Sequence, residues 1–156
     1  MVIPLLVSFL LRHSWEGIEE ALVGYSACID QVMLYNNQSA YTTALIVPNK
    51  ERMNAFVKSV GLTLDTQEGK EAALKEIERE INEFKKGGQY STMFPERWLP
   101  STFAVLKEPF TEQNQMINST MKMVRGKIEK AYAARIDYMY TAEGKKIFNE
   151  ENFKSL

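Results

Sequence analysis

The chain has 156 residues, a length suited to one domain with one core, and its 45% hydrophobic and 25% charged composition is that of an ordinary globular protein. A net charge of −1 supplies no global field to gather nucleic acid or an anionic membrane surface. The single histidine, His13, has no second His or Cys at ligand spacing and no paired nucleophile, which excludes the common zinc sites and catalytic triads, so no metal site is expected.

In chain order, the opening "MVIPLLVSFLL" (1–11) is an apolar run well short of the ~20 residues that span a bilayer. It lacks the basic start and small-residue cleavage site of a signal peptide. It reads as a buried strand or packed arm, with no transmembrane segment. "SWEGIEEALVGY" then predicts a short helix, capped by Ser14, with Trp15, Ile18 and Leu22 on one face and Gly24 as a stop. Cys28 in "YSACID" precludes an internal disulfide and reads as a small buried hydrophobe, in keeping with a cytoplasmic protein.

"IDQVMLY" (29–35) and "YTTALIVP" (41–48) predict two strands joined by "NNQSA" as a hairpin that Pro48 closes. "NKERMNAFVKSVGL" predicts a helix with Met53, Phe56, Val57 and Val60 inward and Gly61 as terminator. Asp65 and Glu68 form a capping-box pattern before a longer helix. Its apolar stripe is Leu74, Ile77, Ile81 and Phe84, its charges a solvated face with a Glu71–Lys75 pair, and Gly87 and Gly88 end it. After a loop with three prolines, "STFAVLK" (101–107) alternates as a third strand. "MINSTMKMVRGKIEK" (116–130) opens a last long helix, capped by Ser119 or Thr120, with Met121, Val124, Ile128, Tyr132 and Ile136 inward. Tyr132, Tyr138 and Tyr140 read as half-buried packing residues, and the tail as one more short helix. The whole is an α+β domain: a small sheet of about three mostly antiparallel strands flanked by helices.

That last helix carries an oddity. Lys122 and Arg125 fall in its opening turns, where the positive end of the helix dipole disfavours cations. By residue type alone these are surface cations, and no glycine-rich phosphate loop stands anywhere in the chain.

Two passages resemble one family. "GIEEALVGYSACIDQVMLYNNQSAYTTALIVPN" (17–49) is similar to a passage in which a helix ending "IEEAL" precedes "I-x-Q-V-x-V-x-G" and "ALIVP". "WLPSTFAVLKEPFTEQNQMINSTMKMVRGKIEKAY" (98–132) resembles a closing signature, "P-x-x-F-x-L-L-x-E-P-F-T" followed by "L-T-P-T-x-K-x-K-R". Both are features of the C-terminal lid domain of long-chain fatty acid–CoA ligases, in the adenylate-forming superfamily. The resemblance covers residues 16–140, and the helix between the second and third strands fits an insertion of the long-chain subgroup. It implies a catalytic role for Lys122 on the signature lysine: holding the fatty acid carboxylate and the α-phosphate of ATP while acyl-adenylate forms and charge builds on the phosphorus oxygens. Arg125 and Thr120 are its implied cofactor-binding companions.

The pattern departs from the family at Asn118 and Ser119, which replace the signature's proline turn, and at Val124, which replaces its second cation. Residues 1–15 do not match at all and read as an apolar arm of foreign or misread origin, leaving 16–156 as the lid domain. ATP, Mg²⁺ and CoA are implied for a complete enzyme and none for this fragment alone. The implied partner is an N-terminal adenylation domain, which brings the fatty acid substrate; the chain by itself is then inactive. The alternative is a stand-alone interaction module or homodimer that hides the same surface without catalysis.

Overall fold

The computed structural model of the chain describes residues 15–156. The Ser14 cap, the apolar run at 1–11 and His13 lie outside those residues. Three strands, β1 (Ile29–Tyr35), β2 (Thr43–Pro48) and β3 (Thr102–Val105), make one sheet in the order β1-β2-β3. β1 pairs antiparallel with β2, the expected hairpin, whereas β2 pairs parallel with β3. The sheet is therefore mixed rather than mostly antiparallel. A parallel pair needs a crossover, and the chain between Pro48 and Thr102 supplies it with two helices, α2 (Lys50–Ser59) and α3 (Gln67–Asn82). Helix α1 spans residues 15–25. Helices α4 (Arg125–Ala131), α5 (Ala133–Met139) and α6 (Glu150–Lys154) follow β3.

Alternation along the strands sends side chains to two separate cores. Val32, Leu34, Ala44, Ile46, Phe103 and Val105 pack with Ile18 and Leu22 of α1 and with the buried stripe Leu74, Ile77, Ile81 and Phe84. Met33, Leu45, Val47 and Ala104 face the other way, against Ile128 of α4 and Ile136 and Met139 of α5. The sheet is thus covered on both faces, and every residue of β2 is buried.

Local chemistry sets the helix ends, with several departures from the expected pattern. Asn49 caps α2 by accepting from Arg52 N. Val60 falls beyond the last helical turn and is 52% exposed, so it leaves the apolar stripe; Gly61 follows at φ +79°, a conformation that suits glycine. The α3 cap is Thr66 rather than Asp65: its hydroxyl accepts from Gly69 N while its backbone is still extended. Lys75 pairs with Glu78 rather than with Glu71. One α3 carboxylate leaves the solvated face: Glu80 is buried and accepts from the amides of Ala27 and Cys28. Cys28 is 3% exposed, and burial together with the Glu80 carboxylate pushes its thiol up to about 12. It packs as the small hydrophobe expected.

Side chains also close the sheet edges. The Asn152 amide lies along β3, its Oδ1 accepting from Val105 N (2.9 Å) and its Nδ2 donating to Phe103 O (3.2 Å). Arg135 donates to the same Oδ1. This mimics a further strand and occupies groups that could otherwise pair with another chain. Tyr140 ties the end of α5 to the sheet by donating to Tyr41 O (3.0 Å), while Tyr41 donates to Met139 O (2.8 Å). Tyr132, Tyr138 and Tyr140 are half-buried, as expected.

Two outcomes test this architecture. Asn152→Ala orphans Val105 N and Phe103 O, and denaturant unfolding should show a loss of about 2–4 kcal/mol. Cys28 should resist alkylation in the native chain at pH 8 and react only after unfolding, because its thiolate is both buried and disfavoured.

Candidate functional site: the Lys122 turn and the cleft beside it

The signature region does not open a long helix. Ile117 and Met123 pair as an isolated antiparallel bridge, and the residues between them form a tight turn. Asn118 organises it. Its N–H donates to Lys122 O (2.9 Å), and its Oδ1 accepts from Thr120 N (3.0 Å), Thr120 Oγ1 (2.8 Å) and Lys122 N (3.0 Å). A short polar side chain that satisfies nearby amides in this way competes with helix formation, which is why the helix starts late. It begins at Arg125, with Val124 as an N-cap that makes no side-chain hydrogen bond. A break at Tyr132 divides the expected single helix into α4 and α5. Neither Ser119 nor Thr120 caps it, and Met121 sits at φ +64° and 71% exposed instead of in the core. Lys122 accordingly lies outside the helix, and the dipole conflict anticipated for it does not arise.

The three candidate residues have different fates. Lys122 is exposed and forms no ion pair among the described residues. The Thr120 hydroxyl donates to Asn118. Arg125 turns inward onto Glu19 of α1 as a two-point ion pair: Nη1 donates to Oε2 at 3.0 Å and Nη2 donates to Oε1. Glu19 is 4% exposed and also accepts from Leu34 N of β1 at 2.7 Å. Burial pushes the Glu19 carboxyl above the usual carboxylate range, although the Arg125 hydrogen bond and charge and the Leu34 amide pull the other way. Burial opposes the Arg125 charge, and the pull of Glu19, Glu16 and Glu129 outweighs it, so Arg125 stays cationic.

Between α1, the start of β1 and the Lys122 turn runs an open cleft of about 480 Å³. Lys122 and Met121 stand on one wall, Glu16, Glu20 and Asp30 on the others. Arg125 and Glu19 also line the cleft and pair with each other, which leaves the Lys122 ammonium among three carboxylates, a poor phosphate pocket by itself. Anion chemistry at Lys122 thus needs further positive groups from outside the cleft. Among the described residues, no cluster of His, Cys, Asp and Glu could hold a metal ion, and no helix is long and apolar enough to cross a membrane.

The sequence places Asn118 in an altered turn and Glu19 on the first helix, but the structural role of each is missed there. Asn118 had a signal, an Asx residue at the head of a polar turn. Glu19 had none, since its partners stand 15 and 106 residues away.

The fold matches part of each of two solved adenylation-domain structures. It matches the adenylation domain of a carboxylate reductase from Mycobacterium chelonae (TM-score 0.58, 21% identity, 80% of this chain and 17% of that one). It also matches the adenylation–carrier didomain of a carboxylic acid reductase from Segniliparus rugosus, solved with AMP (TM-score 0.57, 21% identity, 83% and 16%). In sequence the chain is similar to two proteins of Arabidopsis thaliana. Long chain acyl-CoA synthetase 1 is 24% identical over 123 residues, and long chain acyl-CoA synthetase 8 is 22% identical over 130. These stretches are 78% and 80% of this chain but 18% and 17% of the two synthetases. No family model matches. The chain is thus similar in sequence to two long chain acyl-CoA synthetases and spans less than a fifth of their length.

Arg125→Gln leaves Glu19 buried without its cation and should cost about 3–5 kcal/mol at neutral pH. The sign of its pH dependence follows from Glu19. Without Arg125 the folded-state pKa rises further above the unfolded value of 4.5, so ionised Glu19 penalises the folded variant most above that raised pKa. Denaturation from pH 7 down to pH 4.5 should show the variant's deficit shrinking as Glu19 takes up a proton.

Proposed function

We propose that the chain serves as the C-terminal lid of an ATP-dependent long-chain fatty acid–CoA ligase, with Lys122 as the residue it contributes to formation of the acyl-adenylate. The carrying observation is that Lys122, the residue on the signature lysine, is an exposed ammonium on a firmly hydrogen-bonded turn with no ion pair among the described residues. An ammonium presented in this way reaches into a site built by another domain and can meet both the carboxylate and the α-phosphate as negative charge accumulates. Likeness to two long-chain acyl-CoA synthetases supports the reaction class, and the AMP complex of a structural neighbour supports adenylate chemistry. Mg²⁺, ATP, CoA and the acyl chain then belong to the adenylation domain, which this reading takes as the partner of residues 16–156. The compartment in this reading is cytoplasmic.

Mixing or fusing the chain with the adenylation domain of a long-chain synthetase should produce acyl-CoA, detected with oleate, ATP and CoA. Lys122→Ala should cut the adenylation rate by about 10²-fold or more, the usual scale for removing a charge that acts in the transition state. A fused pair that is fully active with alanine at 122 would overturn the reading. A second reading, an interaction module or homodimer, draws on one observation: Met121 and Val23, both exposed, flank the same cleft. It requires a dimer in analytical ultracentrifugation at micromolar concentration that Met121→Lys disperses and Lys122→Ala leaves intact.

A further inference from the structure

The turn that carries Lys122 is closed by hydrogen bonds among residues 116–124, several of them exposed, and these give it no link to α1 or β1. Its attachment lies three residues on. Arg125, the first residue of α4, grips Glu19 of α1 at two points, and Glu19 in turn accepts from Leu34 of β1. The main-chain link Val124 N to Met116 O (2.8 Å) closes the base of the turn immediately before Arg125. A guanidinium fork bound through two nitrogens to a carboxylate fixes orientation as well as distance.

We propose that Glu19 is a positioning residue for Lys122, acting through Arg125: the buried pair holds the turn of residues 117–123 against α1 and the β1 edge. The functional meaning rests on the reading of Lys122 given above, whereas the pinning itself is a property of this chain alone. Stability and positioning separate here. Replacing both members of a buried pair by apolar groups recovers much of the stability that a single replacement loses, because no charge is left stranded. It does not recover the grip.

The test uses hydrogen exchange in the full chain. The Asn118 and Val124 amides, which bond to Lys122 O and Met116 O, report on the turn; the Leu106 amide, bonded to Ile46 O, reports on the sheet. The variants are Arg125→Gln, Arg125→Lys and the double variant Glu19→Met, Arg125→Met. In the double variant the two turn amides should exchange about tenfold faster or more while Leu106 keeps its protection. Arg125→Lys, which reaches one carboxylate oxygen rather than two, should fall between wild type and Arg125→Gln. Turn amides that stay protected in the double variant, or that speed up only in step with Leu106, would overturn the proposal.

Activity of the fused enzyme supplies the second readout. Loss of pinning should lower the adenylation rate in the double variant with little change in KM for ATP. If Lys122→Ala leaves the rate untouched, the ligase reading fails, and the exchange data still decide whether Glu19 pins the turn. If Lys122→Ala is inactive and the double variant is fully active, the positioning role fails and the ligase reading stands.

Discussion

A single buried carboxylate joins parts of this domain that lie far apart in the sequence. Glu19 comes from the first described helix, accepts from the amide of Leu34 on an edge strand, and accepts from the two terminal nitrogens of Arg125 at the start of α4. Its desolvation is costly, and the cost is offset only while every oxygen has a donor. The arrangement is consequently all-or-none: α1, the β1 edge and the Lys122 turn must be in place together.

The same solution recurs wherever the small sheet meets other elements. Glu80 fixes the chain entering β1 through two amides, Gln31 brackets Phe110 by donating to its carbonyl and accepting from its N–H, and Asn152 extends β3 with a side-chain amide. A sheet of three strands has as many edges as a large one and less area to hide them. Side chains that act as substitute backbone cover those edges with no added strand. They also lend the fold specificity that apolar burial, being non-directional, does not provide.

This economy bears on the site. Of the three polar residues grouped around the signature, Arg125 and Thr120 are committed to the domain's own architecture, and Lys122 alone faces outward uncommitted among the described residues. The carboxylates around the cleft make the domain a poor host for an anion by itself. Both features fit a component that delivers one charge to a site assembled elsewhere.

Much of this was legible in the sequence because it depends on neighbours in the chain. The strand at 29–35, the hairpin, the α2 and α3 helices and the α3 stripe follow from period-two and period-3.6 patterns that act over a few residues. The motif around Lys122 was likewise readable as an ordered string of residue types. Tertiary structure decided what those patterns leave open. The parallel pairing of β3 depends on how the crossover packs, not on β3 itself. The late start of α4 depends on Asn118 outcompeting a helix that Met121 and Val124 would otherwise favour. The inward turn of Arg125 depends on a glutamate 106 residues away. Periodicity tells which side of a helix is wet, but a buried charge is defined by its partner, and only the folded chain brings that partner near.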